Sequence, residues 1–286
     1  MNLTQFAACI ILSAACSLRV IAADVEAGAE KPPEKAVNKA FQVGEKLTYR
    51  IEWGFFTVGR ATMEVKGIER VDGCDCYYIV AEAQTTGLGD MLFKVRSKAE
   101  TWLDVEGLFA RKYSEDRSEG KKRHNEEMTY DYEKKITTVQ DRDTGSITTH
   151  PLNGPVVDAI GLLFAARARQ LDVKNNATFT CNTGDSNYDV FLKADETKEM
   201  KTKPTGNVSA LRFEPNPTLK IVSKNGGRAW FWISNDERRL PIIAYSKMKI
   251  GTAKLELIEY ETPKEKSAEA NTAPKTNFGS GRQSAP

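Results

Sequence analysis

The chain has 286 residues, of which 40% are apolar and 28% charged, so it can bury the core of one large domain or of two small ones. Its 41 basic and 39 acidic residues leave a net charge of +2, which argues against nucleic acid as a partner. No apolar run reaches the ~18 residues of a transmembrane helix, so we expect no membrane span once the N-terminal signal is removed.

The first residues are typical of an export signal. The apolar run FAACIILSAACSL at 6–18 has the length of a signal-peptide core, and VIAAD at 20–24 supplies small residues for cleavage. We therefore predict a signal peptide over 1–23 and a periplasmic or secreted protein. The alternative is a lipoprotein signal, in which LSAAC makes Cys16 the lipidated N-terminus and anchors the protein to the envelope.

Composition sets the limits of the folded domain. Residues 24–40 are rich in Ala, Glu, Lys and Pro without apolar periodicity, which predicts a disordered linker. Residues 262–286 have a similar composition and predict a disordered tail. A single β-rich domain is therefore expected over 41–261.

Apolar residues in that domain mostly repeat with a period of two. Leu47, Tyr49 and Ile51 alternate with polar residues, and GFFTVG at 54–59 links this strand to the next as a hairpin. Turn residues recur about every ten positions, which favours a large antiparallel sheet or barrel. Further strands are predicted at 76–86, 91–102, 107–114, 124–132, 135–141, 146–149, 177–182, 187–194, 207–214, 227–233, 239–247 and 249–260.

One segment departs from the period of two. NGPVVDAIGLLFAARARQLD at 153–172 has Val157, Ile160, Phe164 and Ala168 at helical spacing, and Pro155 suits a first helical turn. We predict an all-β fold with one central helix, which packs on the concave face of a large curved antiparallel sheet or half-open barrel. The helix either fills the core of the sheet or lines an apolar cavity, and core filling is the general requirement.

The segment RAWFWISNDERRLPI at 228–242 brings aromatic and charged residues together. Read with a period of two, Trp230 and Trp232 share one face of a strand, and Phe231 and Ile233 share the other. Residues 234–237 have the composition of a turn, so the charged cluster is interpreted as a hairpin turn.

Motifs of catalysis are absent from the sequence. The two histidines, His124 and His150, have no Cys or His partner at zinc spacing, and no nucleophile elbow, Walker loop or dinucleotide fingerprint occurs. We therefore predict no metal site, no cofactor and no catalytic residue.

Three cysteines follow the signal. Cys74 and Cys76 lie two residues apart on a predicted strand, and Cys181 lies on another. In an oxidising compartment, a disulfide between Cys181 and either Cys74 or Cys76 is one interpretation. Three partly buried thiols are the other.

The order of motifs resembles a family of exported bacterial proteins known as domain of unknown function 3108. FQVGEKLTYRIEWGFFTVGRATMEV at 41–65 is similar to the opening hairpin of that family. VVDAIGLLFAAR at 156–167 and FWISNDERRLPI at 231–242 follow in the same order. The resemblance implies an exported, mostly-β domain without an established activity. The expected architecture, a curved sheet that holds a helix, is similar to the lipoprotein-carrier folds of the periplasm.

Two functions from different classes remain. The first is a non-enzymatic envelope protein with a binding or scaffold role, whose partner is an apolar molecule such as a lipid or acyl chain, or another envelope protein. Its ligand-binding candidates are the aromatic residues Trp53, Phe55, Phe56, Phe164, Trp230 and Trp232. The alternative is a cell-envelope hydrolase that cleaves polysaccharide or peptidoglycan through a pair of carboxylates.

Overall fold

The computed structural model describes residues 38–169, 171–215, 228–247 and 251–263. Fifteen strands and two helices lie in these ranges. They are β1 (Lys46–Trp53), β2 (Phe56–Val71), β3 (Cys74–Thr85), α1 (Leu88–Leu92), β4 (Val95–Asp104), β5 (Ala110–Glu119), β6 (Lys122–Asp131), β7 (Ile136–Asp141), β8 (Ile147–Pro151), α2 (Ala159–Ala168), β9 (Ala177–Asn182), β10 (Asn187–Leu192), β11 (Ala194–Thr202), β12 (Gly206–Phe213), β13 (Arg228–Ser234), β14 (Pro241–Lys247) and β15 (Thr252–Glu261).

Thirteen of these strands form one antiparallel sheet, in the order β11–β12–β13–β14–β15–β1–β2–β3–β4–β5–β6–β7–β8. Strand β15 pairs with β1, so the two ends of the domain meet in the middle of the sheet. The edge strands β11 and β8 do not pair with each other, and β9 with β10 makes a separate hairpin. The prediction of a large antiparallel sheet is confirmed, and in the described residues this sheet does not close into a barrel.

The period of two in the sequence separates the two faces of the sheet. In β1, Leu47, Tyr49 and Ile51 are buried in the main hydrophobic core, whereas Arg50 and Glu52 point to the other side. We call the face that carries this core the inner face, and the opposite one the outer face. Because successive strand side chains alternate, β1 contributes to the core with every second residue.

The central helix α2 packs on the inner face, as predicted. Phe164 is almost fully buried in the main core, and Ile160 lies in the same cluster. The helix begins later than predicted, because Asp158 is its N-cap and accepts hydrogen bonds from the amides of Ile160 and Gly161, at 2.9 and 2.8 Å. The prediction that Pro155 stands in the first helical turn is wrong.

A buried ion pair fixes the end of α2. The guanidinium of Arg167 donates from Nη1 to Glu45 Oε1 at 2.7 Å and from Nη2 to Glu45 Oε2 at 3.0 Å, and neither side chain is more than 2% exposed. It also donates to the backbone carbonyls of Ala40, Arg238 and Arg239, at 2.9 to 3.1 Å. Arg167 therefore ties the helix to the chain before β1 and to the turn between β13 and β14.

That turn is the charged part of the segment 228–242. It has the predicted hairpin form, with β13 ending at Ser234 and β14 starting at Pro241. The Asp236 carboxylate accepts a hydrogen bond from the Ser234 hydroxyl at 2.7 Å and pairs with Arg238. These charged side chains stabilise the turn itself. Backbone carbonyls of the turn accept hydrogen bonds from Arg167.

A second, short helix was not predicted. Residues 88–92 form α1, so the predicted strand over 91–102 is wrong at its first two residues. Five residues are too few to show a helical period, so the sequence pattern gave no sign of it.

The predicted signal peptide (1–23), with Cys16, lies outside the described residues. So does most of the predicted linker (24–40) and of the predicted tail (262–286). These assignments stay predictions. In the described parts of the chain, no helix is long and apolar enough to span a membrane.

Candidate functional site

The six aromatic residues predicted to bind a ligand lie in three separate places. Phe164 is in the main core, where its ring meets that of Phe41 edge to face, with centroids 4.9 Å apart. The Arg167 guanidinium lies 5.1 Å from the centre of the Phe164 ring. These neighbours fill the space around Phe164, so its role in the structure is packing.

Trp230 and Trp232 share the outer face of β13, as the period of two predicted. They belong to a small apolar cluster apart from the main core, together with Tyr245, whose ring stacks on Trp230 at 5.2 Å. Phe231 and Ile233 point to the inner face and join the main core. Trp232 is 7% exposed and Trp230 is half-buried, so this cluster offers little free aromatic surface.

Trp53, Phe55 and Phe56 lie at the tight hairpin between β1 and β2. Trp53 pairs with Phe56 across the hairpin and packs at the edge of the main core. Gly54 has a φ of 58°, a conformation that side chains with a Cβ rarely adopt. The turn therefore projects Phe55 and Phe56 away from the sheet, and Phe55 is fully exposed.

Helix α1 lies beside this hairpin. A Cβ at Gly89 would come within 2.0 Å of the carbonyl oxygen of Val58, so only glycine allows α1 to lie this close to β2. The Asp90 carboxylate accepts two hydrogen bonds from Arg96, at 2.9 and 3.0 Å, and one from Thr85 at 2.6 Å. These bonds lower the pKa of Asp90 to about 2 and hold the polar side of α1 against the sheet.

The apolar side chains of α1 face solvent as a result. Leu88 is 51% exposed, Met91 83% and Leu92 61%. We call the set formed by these three residues with Phe55 and Phe56 the apolar rim.

Basic residues border the apolar rim. The amide of Gly120, in the turn between β5 and β6, donates to the carbonyl of Lys94 at 2.8 Å, which brings that turn next to the end of α1. Lys121 and Lys122 follow in the same turn. In the described parts of the chain, none of the three lysines forms an ion pair. Each is therefore able to meet an anion outside the protein.

The apolar rim was missed in part by sequence reasoning. Phe55 and Phe56 were selected as aromatic residues for a concave cavity, whereas they protrude from a turn. Leu88, Met91 and Leu92 were not selected at all. One feature of the sequence could have indicated the rim: large apolar residues stand side by side at predicted turn positions, where polar residues are the rule.

The three cysteines described by the structure are thiols, so the predicted disulfide is not formed in it. Cys76 lies near Asp104 and Arg111, whereas Cys181 lies near Asp158 and Asp189. Burial raises the pKa of Cys76 to about 12 and raises the pKa of Cys181 as well, so neither is a reactive thiolate. Pairing in the exported protein stays a prediction.

Carboxylates do converge at one place on the inner face. Glu115 and Glu126 are direct neighbours across β5 and β6. Their nearest oxygens lie 3.8 and 3.2 Å from the same nitrogen, Nε2 of His124, so the two carboxylates are within 7.0 Å of each other. Burial raises the pKa of Glu115, whose side chain is fully enclosed. Within the described residues, no group of three or more His, Cys, Asp or Glu side chains could hold a metal ion.

A family of proteins of unknown function, DUF3108, matches residues 48–258. The chain belongs to this family. The match spans the sheet from β1 to β15 and includes both helices, so the resemblance seen in the motifs is confirmed. The DUF3108 family brings no activity with it, and among proteins with curated descriptions none matches the chain.

Three solved structures that match this DUF3108 protein share little sequence with it. A β-barrel-like protein of the DUF1849 family from Brucella abortus is 10% identical and has a TM-score of 0.48, covering 77% of this chain and 97% of that one. A protein described as a lipoprotein from Parabacteroides distasonis is 7% identical with a TM-score of 0.29, covering 81% and 100%. A protein described as exported, with a YmcC-like fold, from Bacteroides fragilis is 8% identical with a TM-score of 0.28, covering 77% and 97%.

Proposed function

We propose that this DUF3108 protein is a non-enzymatic, exported envelope protein that binds lipid through the apolar rim. The observation that carries the proposal is the gathering of exposed apolar side chains. Of the ten large apolar residues exposed in the described parts of the chain, five form the rim. Single exposed apolar residues are normal on a protein surface, but a cluster at a protruding edge marks an interaction site.

The basic residues that border the rim support a lipid surface as its binding partner. The three lysines, Lys94, Lys121 and Lys122, lie beside the end of α1 that carries Met91 and Leu92. This is the combination that peripheral proteins use at a membrane, where apolar residues enter the acyl boundary and cations meet anionic headgroups. A protein partner held at an edge strand, β8 or β11, is the alternative occupant of a binding role.

The proposed location follows from the sequence. A signal peptide over 1–23 would release the protein into the periplasm or the medium, and lipidation of Cys16 would tether it to a membrane. A periplasmic protein and a lipid-anchored one would both have a membrane within reach of the rim. Globomycin sensitivity of processing separates the two.

The concave face is less suited to an apolar ligand than the rim. Phe164 and its neighbours pack closely there, which supports lipid contact at the β1–β2 hairpin and α1 instead. The hydrolase alternative has less support, because Glu115 is fully enclosed and a polysaccharide chain could not reach its carboxyl.

Co-flotation with vesicles tests the proposal. The exported chain is expected to float with vesicles of phosphatidylcholine and phosphatidylglycerol, and the double variant Phe55→Ser/Phe56→Ser to bind at least about tenfold less tightly for each phenylalanine lost. Ile68→Ser is the matched control, because Ile68 is an exposed apolar residue at the other end of β2. Equal binding of the double variant and the wild type would refute a role for the rim.

Neutralising two of the lysines gives a second test of the proposal. The variant Lys121→Gln/Lys122→Gln should lose about 1 kcal/mol per lysine, roughly fivefold each, on vesicles that contain phosphatidylglycerol. On pure phosphatidylcholine it should bind like the wild type. A loss of the same size on both kinds of vesicle would show that the lysines act through folding and not through anionic headgroups.

A further inference from the structure

A row of charged side chains lines the inner face of β5 and β6. Glu115, Arg117 and Glu119 alternate along β5, and His124 and Glu126 alternate along β6. The strand register places Glu115 opposite Glu126 and Arg117 opposite His124. We call these five residues the interior charged cluster. Their face is the one that elsewhere carries the apolar core, so their charges are removed from solvent.

The cluster has a closed base and a more open mouth. The side chain of Glu115 is 0% exposed, whereas those of His124 and Glu126 are 20% and 18% exposed. Arg117 lies between two carboxylates, with Nε 3.6 Å from Glu115 Oε1 and 3.4 Å from Glu119 Oε1. Glu115 therefore lies deepest in the cluster, and His124 and Glu126 lie nearer to solvent.

Several buried polar atoms point into the cluster without a hydrogen bond. Both carboxylate oxygens of Glu115 and Oε1 of Glu119 have no hydrogen-bond partner in the described parts of the chain. The hydroxyl of Tyr113, two residues before Glu115 on the same face, has none either. Buried polar groups in folded proteins are almost always hydrogen-bonded, so a set of this kind indicates water or a ligand.

The charge of the cluster selects the chemistry of that ligand. Three carboxylates face one guanidinium and one imidazole, and burial raises the pKa values of Glu115 and Glu119 because their negative charges are poorly solvated. The oxygens of Glu115 and Glu119 that lack a partner are acceptor sites, which need N–H or O–H donors, and Nε2 of His124 is a further buried atom of the cluster without a hydrogen bond among the described residues. A cation that carries such donors would satisfy the charge and the hydrogen bonds together.

Small side chains continue the same row beyond the cluster. In register with Arg117 come Ser97 on β4, Ala83 on β3 and Ala61 on β2. These three are among the residues that line a pocket of about 300 Å³. The same pocket is also lined by Arg60, Glu82 and Arg96, whose positions alternate to the outer face, and by none of the five cluster residues.

We propose that the interior charged cluster binds the ammonium group of a small organic cation, with Glu115 and Glu119 accepting its N–H donors. Three donors on a compact charge match carboxylate oxygens that come from two positions on one strand face. This site is independent of the apolar rim, and lipid binding at the rim neither requires it nor depends on it.

Titration of the intact exported protein with propylammonium tests the site, and the amide chemical shifts of the protein are the readout. Saturable shifts are expected at β5 and β6. Propanol at equal ionic strength, which has no charge, and tetramethylammonium, which has no N–H donor, should give none. Saturable binding of either control compound with equal affinity would overturn the proposal, as would the absence of saturable shifts with propylammonium.

Substitutions in the interior charged cluster test whether propylammonium binds there. Glu115→Gln and Glu119→Gln should each weaken propylammonium binding at least about tenfold, because each removes a charge-assisted acceptor. Glu259→Gln, on an exposed pair with Arg60, should leave the affinity unchanged. If Glu115→Gln fails to fold, the affinity of Glu126→Gln for propylammonium is measured instead. Wild-type affinity in all folded cluster variants would place the cation elsewhere and refute the assignment.

Discussion

Replacing Arg167 by alanine is expected to lower the free energy of unfolding by about 3–5 kcal/mol, because it leaves the buried carboxylate of Glu45 without its partner. The same change removes the donors for three backbone carbonyls, those of Ala40, Arg238 and Arg239. Each acceptor left unpaired in the interior adds its own desolvation cost. The variant should unfold at a much lower urea concentration, as measured by far-ultraviolet circular dichroism.

A matched surface pair controls for the loss of an arginine as such. Arg60 pairs with Glu259 at 3.1 Å, and both side chains are at least 50% exposed. Arg60→Ala should therefore cost less than about 1 kcal/mol. The double variant Arg167→Met/Glu45→Leu should recover part of the loss, because it leaves no buried charge unpaired. A cost below 1 kcal/mol for Arg167→Ala would mean that the ion pair does not hold α2 to the sheet.

Asp158→Ala is expected to lower the free energy of unfolding by about 2–4 kcal/mol, since it removes the N-cap of α2 and a buried hydrogen bond. The Asp158 carboxylate accepts hydrogen bonds from the amides of Ile160 and Gly161 and from the hydroxyl of Thr101. Urea unfolding at constant pH measures the effect. Helix α2 is the only long helix in the described parts of the chain, so its loss should also weaken packing around Phe164.

The stability contributed by Asp158 should depend on pH. Burial raises its pKa from 3.8 to about 6, so the folded state holds a proton that the unfolded state releases above pH 3.8. The contribution is thus fully present below pH 3.8 and is lost as the pH rises through about 6, by about 3 kcal/mol in total. Asp158→Asn cannot titrate. The stability of the wild type relative to Asp158→Asn should therefore fall between pH 4 and pH 7, and a constant difference would contradict the raised pKa.

Local sequence patterns predicted most of the sheet. The alternation of Leu47, Tyr49 and Ile51, and turn residues such as Gly54, report conformations that depend on residues close in the chain. For the same reason, the two faces of β13 were assigned correctly. The start of α2 was not, because Pro155 and Asp158 both suit the beginning of a helix and only the buried hydrogen bonds of Asp158 decide between them.

Features that depend on distant residues could not be predicted. Glu45 and Arg167 are far apart in the chain, and no local pattern joins them. Glu115 and Glu126 come together because β5 and β6 pair, but their burial depends on the whole inner face. Aromatic content alone could not separate the packed Phe164 from the exposed Phe55, since both are large and apolar and only the fold sets their exposure.

Hydrogen–deuterium exchange in the presence of vesicles tests lipid binding at the apolar rim most directly. With vesicles that contain phosphatidylglycerol, exchange is predicted to slow at residues 54–57 and 88–93, while the outer face around Trp230 and Trp232 keeps its rate. The Phe55→Ser/Phe56→Ser variant should lose this protection. Protection at β8, β11 or the Trp230 face, with unchanged exchange at the rim, would contradict the proposal that the rim is the lipid-binding surface of this protein.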